Sequence, residues 1–426
     1  MLSRRDLLAA STVYTLAPRS EAQTTGGDRI GFGFIGAGIR ATQLMGEFLK
    51  MPGVDPVIVA DLYDGYLTRA KEQTQGRCAT TKDYRAVLDR KDVDAVVIAT
   101  PDHWHMRMTL DALAAGKHVY IEKPLTWSLA EGPKMVAAAE KSGKLVMVGS
   151  GPKTMPLTAK AREIVKSGKL GQVVQVRMVN HRNTPEGAWV YPIPPDASPQ
   201  TIDWPRFLGS APKRPFSPEV FFRWRCWWEY SGGVATDLFV HQLTQLHEIM
   251  DVPAPVSVVS QGGLHRWKDG RTVPDLLQSV FEYEKGFQAE LCVNLCNGSQ
   301  ARGLTIMGTE GTLFQDRNQL VVTPEPVRPD IQSYGTIAWP KSARDAYFQA
   351  KGKPGQIAPP KPEEIPVERG PGHTELFVLS LRNNTPSRET AQEGHYAAGA
   401  AHLANMAFRK GRRMKWDYRT NKVTAG

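Results

Sequence analysis

The sequence predicts an α/β protein of two domains: an N-terminal doubly wound parallel (Rossmann) sheet, then an α+β domain with an open, mostly antiparallel sheet. Three observations carry this. Between residues 28 and 150, short apolar runs alternate with amphipathic stretches, the pattern of βα units joined by right-handed crossovers. From residue 151 onward, strand-like runs follow one another without intervening helices, as in an antiparallel sheet. The length, 426 residues, is ample for two hydrophobic cores.

Taken in order, the first domain should place strands at 30–35, 56–60, 95–100, 118–121 and 145–148, with a weaker one near Cys78. Helices are expected between them, for example over 104–115 and 129–142. In the second domain a helix at 160–167 precedes a strand at 171–179, and a loop-rich aromatic stretch runs from 180 to 230. Strands return at 256–261, 277–283, 287–293 and 304–307. Residues 324–371 hold ten prolines and predict an extended excursion. Helices resume at 374–383 and 390–410, and there is no internal repeat.

Residues 1–27 read differently. Ser3-Arg4-Arg5-Asp6-Leu7-Leu8 precedes a modest apolar stretch, and Ser20-Glu21-Ala22 supplies small residues for signal cleavage. This order predicts a twin-arginine signal, and so a periplasmic or secreted protein exported after folding. The net charge of +10 is scattered over the chain and accompanies no nucleic-acid motif, so nucleic acid is not an expected partner. The densest basic run, 409–415, suits a helix C-terminus. No apolar run is long enough to span a bilayer, which argues against stable membrane insertion. The four cysteines show no metal-ligand spacing, and no metal site is expected. Cys292 and Cys296, four apart in an extended run, are too distant to bridge each other, while other pairings stay open.

The most informative stretch is Ile30 to Ala41, IGFGFIGAGIRA. A buried strand ends at Gly36-x-Gly38-x-x-Ala41, where a helix should begin. The first glycine allows a tight turn, the second lets a pyrophosphate approach the backbone, and Ala41 lets the helix pack closely. Gly36, Gly38, Ile39, Arg40 and Ala41 are therefore cofactor-binding candidates, with the helix N-terminus facing the phosphates. Twenty residues on, a second apolar run ends at Asp61, placed to bind a ribose 2′-OH. That carboxylate favours NAD, and Arg40, able to pair with a 2′-phosphate, admits NADP.

Further polar segments end later strands, where ligands of open α/β sheets bind. Thr100, Pro101 and His105 lie in Thr-Pro-Asp-His-Trp-His, and Glu122-Lys123-Pro124 follows the next strand. Gly232-Gly233 leads into a segment where Asp237 and His241, four apart, share a helical face. In this order the set resembles the glucose–fructose oxidoreductase, inositol dehydrogenase and MocA family, over nearly all of the chain after residue 27. The resemblance implies that Lys123, Asp237 and His241 surround the substrate carbon facing a nicotinamide. Many members carry Gln and Arg near 151–153, where this chain has Gly-Pro-Lys. The chemistry fits: His241 as base for a hydroxyl proton, Asp237 orienting the imidazole, Lys123 favouring an alkoxide.

Residues 221–230 form the richest aromatic stretch. Trp224, Arg225 and Tyr230 are candidates for a carbohydrate pocket, with Phe221 and Phe222 left to the core. His181, within Asn180-His181-Arg182-Asn183, marks a second candidate wall. His265, His373 and His395 receive no role. The expectation is an NAD(P)-dependent oxidoreductase, a homo-oligomer acting on a small-molecule carbohydrate (a sugar, polyol or glycoside). Two rivals share the plan: a glycosidase using NAD transiently through oxidation and elimination, and a non-catalytic sugar or nucleotide sensor. A sensor need not keep an acid–base set.

Overall fold

The computed structural model describes residues 29–299, 302–316, 319–326, 333–352 and 360–426; the expected signal, 1–27, lies outside the described residues. The first domain is a six-stranded, all-parallel sheet. Its strands are β1 (Ile30–Ile35), β2 (Val54–Ala60), β3 (Ala79–Thr81), β4 (Ala95–Ile98), β5 (His118–Glu122) and β6 (Val146–Gly149), in spatial order β3-β2-β1-β4-β5-β6. Every residue of β1 and β4 is buried, as expected of strands covered on both faces. The order reverses between β1 and β4, and the register pairs Ile35 with both Ala60 and Ile98. Three strands thus end level, which gathers Gly36, Asp61 and Thr100 at one crevice.

This domain extends beyond the expected 28–150 segment. The helix His373–Asn383 returns to its sheet, and the Phe377 ring meets those of Phe32, Phe48 and Tyr120 at 5.5–6.2 Å. The aromatic face around β1 needs a cover, and a distant segment supplies it.

The second domain holds a ten-stranded sheet. Its members are β7 (Val173–His181), β8 (Ser257–Gly263), β9 (Leu276–Glu282), β10 (Gln288–Asn294), β11 (Arg302–Gly308), β12 (Gly311–Gln315), β13 (Leu320–Pro324), β14 (Glu363–Glu364), β15 (Met414–Asp417) and β16 (Lys422–Ala425). Pairing is antiparallel except between β7 and β10. Alternation sets one face inward: Leu277, Ser279 and Phe281 on β9, Ala289, Leu291 and Val293 on β10.

Between the sheets lies the helix Ala391–Lys410. Thr390 caps it, its hydroxyl accepting from the Glu393 N–H while the Glu393 carboxylate accepts from the Thr390 N–H. Seven buried alanines let it approach both domains closely. A Cβ on Gly394 would lie 2.6 Å from Val148, so only glycine fits there. Arg409 and Lys410 occupy its last turn, as the basic run suggested. The proline-rich excursion is not wholly extended. Its proline-free centre forms the helix Lys341–Lys351, with Pro340 just ahead of the first turn. The aromatic stretch likewise contains short helices, Trp204–Leu208 and Pro218–Phe222, each started by a capping Asp203 or Ser217. All four cysteines are free thiols.

Candidate active site

A cavity of about 890 Å³ opens between the two sheets, along the carboxyl ends of β1, β2, β4 and β5. Gly36, Gly38, Ile39, Arg40, Asp61, Thr100, Pro101, Glu122 and Lys123 line its first-domain wall, as the sequence predicts. Gly36 has a φ of +94°, and a Cβ there would lie 2.5 Å from the Ala99 carbonyl oxygen. At Gly38 an added Cβ would meet only the Tyr66 ring, at 3.6 Å, so the backbone lies open towards the cavity. A helix, Ile39–Phe48, starts at this point with no side-chain cap, leaving its first N–H groups to a ligand. This cradle fits a dinucleotide pyrophosphate.

The Asp61 carboxylate fixes the turn. It accepts from the Ala37 N–H at 2.7 Å and the Tyr63 N–H at 3.0 Å. Burial pushes its pKa up to about 6, against the pull of those N–H groups. Arg40 donates from Nε to Glu122 Oε1 at 2.7 Å, tying the helix start to the end of β5. Two residues in this group act differently from expectation. Ala41 is buried and packs beneath the turn without reaching the cavity. His105 is also buried, its ring nitrogens held by the Pro124 carbonyl (2.7 Å) and the Thr100 carbonyl (3.0 Å). It lies between the two strand ends behind the cofactor wall; burial lowers its pKa, which favours the neutral ring, whose single N–H donates to one of the two carbonyls.

The second domain brings Asp237 and His241 to the opposite wall. They sit where a π-helical turn, Ala235–Phe239, passes into the helix Val240–Met250. Lys123 Nζ donates to Asp237 Oδ1 at 2.8 Å and to the Asp237 carbonyl at 2.9 Å, while Arg225 Nε donates to the same Oδ1 at 3.0 Å. Burial alone would raise the Asp237 pKa, but the charges of Lys123 and Arg225 outweigh it and hold the carboxyl well below its usual range. Asp237 therefore holds Lys123 and Arg225, a role additional to the expected orienting of His241. The imidazole Nδ1 faces Ser150 Oγ at 3.4 Å. Beneath this cluster Asp102 is buried, and burial pushes its pKa up to about 7.

Among the substrate candidates, Trp224 and Arg225 line the cavity, the guanidinium 4.2 Å above the indole ring. Tyr230 does not. It is fully buried, its ring 5.1 Å from those of Phe207 and His103. Cys226 and Trp227, between Arg225 and Tyr230, are buried as well, so the chain has turned into the core by this point. His181 is also displaced. Along β7, Val176, Met178 and Asn180 face inward, and period-two alternation sends His181 to the other side, where Nδ1 meets the Ser299 carbonyl at 2.7 Å. Asn180 and Arg182 line the cavity in its place, with Tyr191, Gln242 and Gln315. The flagged stretch 180–183 was thus informative, but the face depended on strand register. At 151–153, Gly151 and Pro152 reach the cavity, while Lys153 turns away to pair with Glu248 and Glu393. Among the described residues no cluster of side chains could hold a metal ion.

Residues 30–150 match the oxidoreductase family with an NAD-binding Rossmann fold, and residues 158–314 match the GFO/IDH/MocA C-terminal domain. The chain belongs to the Gfo/Idh/MocA family of NAD-binding oxidoreductases. A glycosyl hydrolase family 109 protein from Shewanella sp. strain MR-4 is 31% identical over 146 residues, 32% of this chain. That match spans only 30% of the relative's length. Two solved structures share the fold. Levoglucosan dehydrogenase, in complex with NADH and levoglucosan, aligns with a TM-score of 0.65 at 17% identity, covering 90% of this chain and 98% of that one. An aldose-aldose oxidoreductase from Caulobacter crescentus aligns with a TM-score of 0.64 at 18% identity, covering 91% and 99%.

Proposed function

We propose that this oxidoreductase oxidises a hydroxyl-bearing carbon of a sugar, polyol or glycoside, with NAD as its cofactor. The observation that carries the reading is the Lys123–Asp237 pair, which joins the two domains at the end of β5 beside His241. NAD, when bound, supplies the hydride acceptor. The chain's own groups handle the rest. Lys123 stabilises the developing alkoxide, and Asp237 holds that ammonium in place. His241 accepts the hydroxyl proton. Asn180 Oδ1, Gln242 Oε1 and Gln315 Oε1 are buried polar atoms on the cavity wall without a hydrogen-bond partner among the described residues, as sites for sugar hydroxyls would be. Arg40 is already engaged by Glu122, which supports NAD over NADP. The test is a screen of sugars and polyols for NADH formation by the purified chain. Turnover that survives both Lys123→Met and His241→Ala would overturn the assignment.

A glycosidase reading is supported by the Shewanella relative, named a glycosyl hydrolase. Oxidation would acidify a neighbouring C–H, elimination would expel the aglycone, water would add at the anomeric carbon, and the hydride would return to the carbonyl. Release of a phenol from an aryl glycoside without net NADH formation separates the two. The Arg4-Arg5 segment supports twin-arginine export to the periplasm or beyond; replacing both arginines by lysine should retain the protein in the cytoplasm. Self-association is supported by the sheet's outer face. There Phe314, Thr305, Arg177, Glu290, Val280 and Val259 stand in one cross-strand row, with the apolar ends Phe314 and Val259 exposed. Sedimentation of a dimer or larger species, lost in Val259→Lys, is the expected result.

A further inference from the structure

The substrate side of the cavity holds a cation that forms no ion pair with the cavity's carboxylates among the described residues. Lys123, Arg182 and Arg225 all line it around Asp237. Lys123 and Arg225 bond the Asp237 carboxylate directly. Arg182 is the remaining cation, and its Nε and Nη2 are shielded from solvent without a hydrogen-bond partner among the described residues. Its charge reaches Asp237 and Tyr191, both on the cavity wall. The side chain is held in place. Its backbone N–H donates to the Asn294 carbonyl at 2.9 Å, and its stem lies over the turn at Gly187, where an added Cβ would sit 3.0 Å from Arg182 Cδ. Glu186, exposed on the same loop, lines the cavity too, yet Arg182 has no ion pair among the described residues.

A buried guanidinium edge without an acceptor costs free energy that a ligand can recover. A hydroxyl offers that edge one neutral acceptor. A carboxylate offers two oxygens at the spacing of the guanidinium fork, together with the opposite charge. Two residues earlier, buried Asn180 presents an unpartnered Oδ1, an acceptor suited to a ligand hydroxyl. The site therefore asks for a ligand bearing a carboxylate beside hydroxyls, with a single negative charge.

Resting on the oxidoreductase reading, we infer that the substrate is an acidic sugar of the hexuronate class, its carboxylate bound by Arg182. The reaction stays balanced as before: the carbinol C–H leaves as hydride to NAD, the O–H proton goes to His241, and the carboxylate is unchanged.

The experiment is calorimetric titration of the NAD-loaded full chain with D-glucuronate, D-galacturonate, D-glucose, D-galactose and glucose 6-phosphate. At least one uronate should bind tenfold or more tighter than its neutral counterpart. Arg182→Met should weaken that uronate by about 10- to 150-fold, the worth of hydrogen bonds to a charged group, and collapse its preference over the neutral sugar. Arg182→Lys, which keeps the charge but loses the fork, should restore part of the preference and guards against a folding defect in the methionine variant. Four results would overturn the inference: each neutral sugar binding as tightly as its uronate, no uronate binding at all, preference for the phosphate, or equal loss for both sugars in Arg182→Met. NADH formation in the same samples separates the two readings. Arg182-dependent uronate binding without NADH would sink the oxidoreductase reading for that sugar and leave this one standing; NADH from glucose with no uronate preference would do the reverse.

Discussion

Replacing Asp237 by Asn tests how the two domains are joined at the active site. The carboxylate accepts from Lys123 Nζ at 2.8 Å and Arg225 Nε at 3.0 Å, and the Lys123 and Asp237 side chains are only 10% and 12% exposed. An amide keeps the shape and removes the charge, leaving two cations facing each other in a poorly solvated pocket. Breaking one partner of a buried pair costs about 3–5 kcal/mol, and the open cavity should hold the loss near ~3 kcal/mol. Urea unfolding of the cofactor-free protein at pH 7 reads it as a fall in midpoint at constant slope. The pH dependence follows from the depressed Asp237 pKa. The contribution is present above the unfolded carboxyl's value of 3.8 and is lost as pH falls below it. The gap between wild type and Asp237→Asn should be level from pH 5 to 8 and close below about pH 4. Adding Lys123→Met should recover at least about 1 kcal/mol, because the second change removes the stranded cation. A variant within about 0.5 kcal/mol of wild type, or a double variant showing the full sum of both losses, refutes the reasoning.

Other expectations are more direct. His241→Ala should lower turnover by about 10²–10⁴ while NAD binding holds, since the nucleotide cradle belongs to the other domain; wild-type turnover would move the base elsewhere. Gly36→Ala should abolish NAD binding and lower the melting temperature, because its Cβ would meet the Ala99 carbonyl at 2.5 Å; unaltered affinity by calorimetry would contradict the cradle. Asp61 has a raised pKa, so its favourable contribution is complete below pH 3.8 and is lost as pH rises through about 6. Asp61→Asn should therefore gain stability relative to wild type between pH 4 and about 7, and a gain in the opposite direction would refute the burial argument. Tyr230→Phe should leave sugar turnover within about twofold of wild type, as expected of a core ring; a large loss would return Tyr230 to the pocket.

Much of this was legible in the linear chain. Local rules fix the strand–glycine–helix turn at 30–41, because a tight turn, a close phosphate approach and close helix packing each constrain one residue there. The same holds for Asp61, Thr100, Glu122 and Lys123, since parallel strands deliver their C-terminal residues to one edge regardless of distant contacts. Side-chain direction was harder. Asn180 and Arg182 face the cavity while His181 does not, because register, set by β10 and β11 pairing with β7, decides which alternate residues point inward. Tyr230 looks like its aromatic neighbours in sequence, but its ring packs on Phe207 and His103 in the core while Trp224 and Arg225 line the cavity. Asp237 and His241 share a helical face by spacing alone, but the partners of the carboxylate could not be read from spacing. Lys123 lies 114 residues away in the other domain, and only the docking of the two sheets across the Ala391–Lys410 helix brings that ammonium to it. Sequence determined which strands form the crevice, since burial and turn chemistry are local; tertiary packing decided which charges meet across it, since Coulomb attraction acts on distance in space.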